Sequence, residues 1–199
     1  MHIIGIVGGV ASGKSLVAEQ LRELGAVVLE ADVIGHEVLR GEEIKTAARR
    51  RWGDEIFGPD GRIDRRRLAR IVFAPPPQGP KERKYLEELT HPEICRLIER
   101  RTRELAAEGR KMVVLDAPLL LEAGLDDFCN TIIYVDSPRE IRMARARSRG
   151  WNEEDFAARE GAQDSLDSKR DKADVTIDNS GSPESTKAQI ERWVHTLIV

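Results

Sequence analysis

The segment Gly8-Gly9-Val10-Ala11-Ser12-Gly13-Lys14-Ser15 constrains this chain more than any other. It fits G-x-x-x-x-G-K-[ST], follows the apolar run 2–7, and precedes a pattern that places Val17, Leu21 and Leu24 on one helical face. A strand that turns into a helix through glycines can curl its backbone so that successive N–H groups point at phosphate oxygens. The helix opening near Gly13 aims its positive dipole end at the same anion. Lys14 can reach terminal phosphates, and the Ser15 hydroxyl can ligate Mg²⁺. Gly8, Gly9, Val10, Ala11, Ser12, Gly13, Lys14 and Ser15, with Leu16 behind them, are therefore expected to hold ATP.

Strands and helices alternate around this motif. Apolar runs at 26–29, 111–115, 131–135 and 174–177 read as further strands, and Ile190, Trp193, Val194 and Leu197 mark one face of a last helix. Continuous apolar strands separated by helices predict a parallel sheet covered on both faces. The expected class is α/β: a five-stranded parallel sheet of the P-loop kinase type, with a helical insertion and a helical lid. Residues 1–35, 109–137 and 173–199 are assigned to the nucleotide-binding core, 36–108 to the insertion and 138–172 to the lid. The turn Gly58-Pro59-Asp60-Gly61 and a loop at 74–80 interrupt the insertion.

Bulk properties exclude several classes. A net charge of −3 over 199 residues argues against a general nucleic-acid binder. No apolar run approaches the ~20 residues that span a bilayer, and a core strand at 2–7 takes the place of a signal peptide. The expectation is a cytoplasmic protein without membrane or nucleic-acid partners, monomeric or weakly homo-oligomeric. Cys95, Cys129 and four histidines show no zinc spacing, and both thiols read as reduced and largely buried.

A phosphate loop suits GTPases, motor ATPases and small-molecule kinases alike. The guanine-reading N-K-x-D is absent, and the strand before Asp116 ends in one acid followed by Ala117-Pro118, not in the acidic pair of motor ATPases. A kinase needs a base at the acceptor and a cover that excludes water. Asp32, just past the second strand, is either that base or the N-cap of the next helix. Arg139, Arg142, Arg145, Arg147 and Arg149 form either a lid or a solvated helix; Arg145 and Arg149, one turn apart, are the candidates to neutralise a transferring phosphoryl group. The cluster Arg62, Arg65, Arg66, Arg67 and Arg70, around one Asp64, either binds acceptor phosphates or is a wet helix face. Asp116 supports the metal through water, orients the acceptor, or anchors its strand end.

These residues resemble the dephospho-coenzyme A kinases along nearly the whole chain. Gly5 to Ser15 looks like that family's opening segment, and Glu30-Ala31-Asp32 resembles its D-A-D motif with Glu at the first position. Ile71-Val72-Phe73, Leu89-Thr90-His91-Pro92-Glu93-Ile94 and Asp116-Ala117-Pro118-Leu119-Leu120-Leu121-Glu122 are similar to acceptor-domain signatures. Arg159, Gln163, Lys169, Ala173-Asp174 and Ile177-Asp178-Asn179-Ser180-Gly181-Ser182 fall where the family has further motifs, the last of them the loop that holds adenine. The resemblance implies Mg²⁺-dependent transfer from ATP to the ribose 3′-hydroxyl of dephospho-coenzyme A. Asp32 would act on that hydroxyl, Asn179 and Gly181 would hold the nucleoside, and Arg65, Arg66, Asp116, Pro118 and Leu119 would contact the acceptor. His91 is either an acceptor contact or a packing or capping residue. Two other readings stay open: a kinase for another small acceptor such as a nucleoside or nucleotide, and a nucleotide-dependent switch that hydrolyses ATP without a second substrate.

Overall fold

The computed structural model describes residues 1–117 and 119–198, which divide into two compact units. One comprises Met1–Glu30 and the chain from Thr102 onward; the other is Ala31–Arg101.

In the first unit, β1 (His2–Gly8), β2 (Val27–Glu30), β3 (Met112–Asp116), β4 (Thr131–Asp136) and β5 (Val175–Asp178) form one sheet in the order β2-β3-β1-β4-β5, every pair parallel. All five carboxyl ends therefore lie along one edge, and β1 stands between the two directions in which the chain winds, the switch point where such sheets bind ligands. Helices α1 (Lys14–Glu23) and α9 (Pro183–Ile198) pack on one another and on one face, where Ile4, Ile6, Val17, Leu21, Ile133 and Ile190 form the buried core. Each such side chain contributes about 1.5–3 kcal/mol by leaving water. On the other face Cys129 Sγ and Leu120 approach β1 so closely that a Cβ at Gly5 would lie 2.8 Å from the sulfur.

Each strand runs one residue further than its apolar stretch predicts, ending on Gly8, Glu30, Asp116, Asp136 and Asp178. The reason is ladder pairing: Glu30 lies opposite Asp116, and Asp136 opposite Asp178, so polar side chains at the sheet edge still sit on bonded backbone. Helices α6 (Arg139–Ser148), α7 (Glu153–Gly161) and α8 (Leu166–Asp171) also belong to this unit. Cys95 and Cys129 are half-buried free thiols, less enclosed than the sequence implies; burial pushes the Cys129 thiol up to about 12.

The second unit contains α2 (Ala31–Val38), α3 (Glu42–Trp52), α4 (Arg65–Val72) and most of α5 (Gln78–Ala107). Ile56, Phe57, Ile63, Leu68 and Val72 form its core, with Phe57 and Ile63 bridged across the Gly58–Gly61 turn. The lone acid of the basic cluster, Asp64, caps α4 by accepting from the Arg66 and Arg67 N–H groups at 2.9 and 3.2 Å. The expected loop at 74–80 is shorter than predicted. Helix α5 begins at Gln78, because Pro80 falls in the first turn, where no N–H is required. Buried Glu82 accepts from Arg51 at 2.8 Å twice, from Trp52 Nε1 at 2.9 Å and from Gln78 at 2.6 Å, so its charge is fully partnered. No helix among the described residues is long and apolar enough to cross a membrane.

Candidate active site

The loop leaving β1 stores backbone strain. Ala11 adopts φ 58°, a left-handed conformation that costs a non-glycine residue on the order of 1 kcal/mol or more and persists only where its surroundings enforce it. Its neighbour Ser12 is 1% exposed, and the Ser12 Oγ finds no protein partner among the described residues.

Lys14 opens α1 and folds back over the loop, donating to the carbonyls of Gly8 at 3.1 Å and Gly9 at 3.2 Å. Desolvation lowers its pKa to about 8; the nearby Lys169 cation and, more weakly, Arg142 push the same way, against Asp116 and Glu122. An ammonium held by neutral carbonyls among other cations lies in a field that an anion would relieve. A phosphate would exchange weak partners for a charged one. Ser15, one residue on, is exposed, and Asp116 is half-buried at the end of β3, laddered to Ile6 and Glu30.

The lid arginines divide by environment. Arg142 is 2% exposed; it donates to the Ser137 carbonyl at 3.2 Å, to the Val10 carbonyl at 3.4 Å and to Glu160 at 2.7 Å. Arg145 donates to the Ser12 carbonyl at 2.9 Å, to Ser137 Oγ at 3.2 Å and to the Asn179 carbonyl at 2.8 Å. Arg149 is exposed at the carboxyl end of α6. Thus helical spacing pairs Arg145 with Arg149, but only Arg145 is fastened to the loop. Arg142 was missed as a site residue, although it shares the apolar stripe of Met143 and Ala146, an unusual place for a guanidinium. Lys169, which the sequence placed on a family motif without a role, is buried, donates to Gln163 at 3.0 Å and pairs with Glu122 at 3.3 Å. A cavity of about 450 Å³ flanks the loop, lined in part by Gly9, Val10, Ser137, Arg142 and Glu160.

The predicted nucleoside loop meets the phosphate loop through Asn179, whose Nδ2 donates to the Ser12 carbonyl at 2.7 Å; Gly181 is exposed beyond it. Leu16 is half-buried in α1, and Leu119 is half-buried after β3. Pro118 lies outside the described residues.

In the second unit, Asp32 is exposed in the first turn of α2, which begins at Ala31 directly after β2. It is therefore not the N-cap, although a carboxylate in a first turn is still favoured by the dipole. One turn on, desolvation lowers the His36 pKa; Arg65 adds to this and Asp32 opposes it, so the three groups share one electrostatic neighbourhood. Arg65 and Arg66 are exposed at the start of α4. His91, half-buried on α5, has Nε2 3.4 Å from Cys95 Sγ.

Oxygen donors at Ser15 and Asp116 suit a hard cation such as Mg²⁺. Among the described residues no group of three or more His, Cys, Asp or Glu stands ready to hold a metal ion. The orphaned Ser12 hydroxyl and the desolvated Lys14 likewise fit a phosphate-bearing ligand.

Sheet order, loop and cation set together define a P-loop kinase. The dephospho-CoA kinase family profile matches residues 2–185. The dephospho-CoA kinase of Symbiobacterium thermophilum is 43% identical over 96% of this chain and 79% of its own length; that of Bacillus licheniformis is 37% identical over 98% and 96%. A crystal structure of a Thermus thermophilus protein superposes with a TM-score of 0.80 at 35% identity, covering 98% of this chain and 97% of its own. The chain belongs to the dephospho-CoA kinase family.

Proposed function

We propose that this enzyme transfers the γ-phosphoryl group of ATP to the ribose 3′-hydroxyl of dephospho-coenzyme A, giving coenzyme A and ADP. The observation that carries the reading is Lys14, desolvated and folded onto the Gly8 and Gly9 carbonyls in a chain whose family membership spans residues 2–185.

In this reading the backbone of Gly8–Ser15 and the Lys14 ammonium hold the β- and γ-phosphates, with Leu16 behind them and Asn179 and Gly181 on the nucleoside side. Ser15 directly and Asp116 through water would hold Mg²⁺, which would supply positive charge against the negative charge that develops during transfer. Asp32 takes the proton of the 3′-hydroxyl as its oxygen bonds to the γ-phosphorus and the bond to the β–γ bridging oxygen breaks; ADP leaves with that electron pair. Arg65, Arg66, His91, Pro118 and Leu119 bind the acceptor. Residues 36–108 form the acceptor insertion, and 138–172 form the lid. Arg145 and Arg149 are the lid guanidiniums assigned to the charge of the transferring phosphoryl group, and Arg145 also bonds the Ser12 and Asn179 carbonyls. We place the enzyme in the cytoplasm as a monomer or weak homo-oligomer, acting without nucleic acid or membrane.

An acceptor panel with labelled ATP and Mg²⁺ tests this. Label should pass to dephospho-coenzyme A, and the product mass should rise by one phosphate. Transfer only to nucleosides or nucleotides would assign a different acceptor, and hydrolysis indifferent to any acceptor would mark a switch.

A further inference from the structure

The phosphate loop is held from outside by a side chain 167 positions away in the sequence. Asn179 is 1% exposed, and its Nδ2 donates to the Ser12 carbonyl at 2.7 Å. Its Oδ1 accepts from the hydroxyl of Thr186, which is fully buried in α9, at 2.9 Å; the same hydroxyl lies 3.4 Å from the Ser182 carbonyl. The Asn179 carbonyl accepts from Arg145 at 2.8 Å and from Ser137 Oγ at 3.3 Å, while Arg145 also donates to the Ser12 carbonyl. The Ser12–Gly13 peptide is thus gripped at its oxygen by two donors.

Gly13 answers to this grip as well as to its own φ of 101°. A Cβ there would lie 2.0 Å from Asn179 Nδ2 and 3.5 Å from an Arg145 nitrogen, so the amide occupies the space a side chain would need. Which end of an amide faces the loop decides whether it attracts or repels a carbonyl. A hydroxyl that donates to Oδ1 fixes that choice.

We infer that Thr186 and Asn179 are positioning residues for the phosphate loop: Thr186 orients the Asn179 amide, and the amide sets the Ser12–Gly13 peptide for ATP. Neither acts on the acceptor. Nucleoside loop and phosphate cradle consequently behave as one preset unit, with ATP affinity depending on a hydroxyl in a helix that the phosphate motif does not include. The inference rests on the reading that Gly8–Ser15 binds ATP.

The test compares wild type, Thr186→Val and Thr186→Ser by calorimetric ATP binding without acceptor, and by steady-state KM for each substrate. Thr186→Val keeps the shape and removes the donor that orients the amide; it should raise the ATP Kd and KM about tenfold. KM for dephospho-coenzyme A should not move, and Thr186→Ser should restore the ATP values. Asn179→Asp, which puts an acceptor against the Ser12 carbonyl, should weaken ATP binding further and gives the same test if Thr186→Val does not fold. Lower Tm with unchanged ATP affinity would overturn the inference, as would equal rises in both KM values. Wild-type protein that binds no ATP would instead sink the phosphate-site reading, and this inference with it.

Discussion

The two compact units handle polar groups in opposite ways. Around the phosphate loop, charged and amide side chains are buried or half-buried and bonded to backbone carbonyls: Lys14 to Gly8 and Gly9, Arg142 to Val10 and Ser137, and Asn179 with Arg145 to Ser12. In the unit that begins at Ala31, the proposed functional groups Asp32, Arg65 and Arg66 stand exposed, and the buried polar network centres on Glu82, which has no proposed role in chemistry. A site that must stabilise phosphoryl charge gains from donors fixed before the ligand arrives. A flexible acceptor can be met by solvated groups, and there the buried network serves the fold.

That contrast can be broken at its strongest point first. Lys14→Ala should cut kcat by about 10³-fold, the loss expected when a preorganised donor to developing charge is removed, with a smaller change in ATP KM. If only KM rose, Lys14 would be a ground-state contact. Asp32→Asn should lower kcat by about 10²–10⁴-fold yet leave ATP affinity as it is, since its carboxylate is assigned to the acceptor hydroxyl. Near-normal turnover in that variant removes Asp32 as the base.

The scaffold network is sharpened by pH. Bonding from Arg51 holds the Glu82 carboxyl below its ordinary value; burial opposes this, and the Trp52 N–H adds to it. A depressed folded-state pKa means stabilisation that is fully present above the ordinary carboxylate range and lost as pH falls through the folded value. Melting curves from pH 7 to pH 3 should therefore show a decline that Glu82→Gln makes shallower. At pH 7 the substitution should cost roughly 5 °C in Tm. Smallest of all, removing the exposed Arg170–Asp136 pair, 3.4 Å apart, with Arg170→Ala should change stability by less than about 1 kcal/mol. A larger loss would show that surface ion pairs in the first unit are not the minor players their solvation implies.

Much of the first unit was legible because its signals are local. The phosphate motif sits between a strand and a helix, and four more apolar runs mark a parallel sheet; the strand ends were cut short where paired Asp and Glu side chains masked continuing backbone, and β2, β3 and β5 begin one residue later than their apolar runs. The arginine run was visible but left unsorted: the stripe of Met143 and Ala146 marks Arg142 as the buried one, whereas nothing local separates Arg145 from Arg149. Asn179 was assigned to the nucleoside through a family resemblance, but its bond to Ser12 joins residues 167 positions apart and leaves no local pattern. In the second unit, Asp64 looked like one acid in a basic cluster because a cap depends on where the helix starts. The acceptor itself came from the resemblance, not from charge or spacing.

The central claim is transfer to one hydroxyl, and an acceptor lacking that hydroxyl tests it most directly. With Mg-ATP, dephospho-coenzyme A should gain one phosphate by mass at the ribose 3′ position, whereas its 3′-deoxy analogue should gain none. Phosphorylation of the analogue, or ATP loss to water alone with both acceptors, would contradict the account.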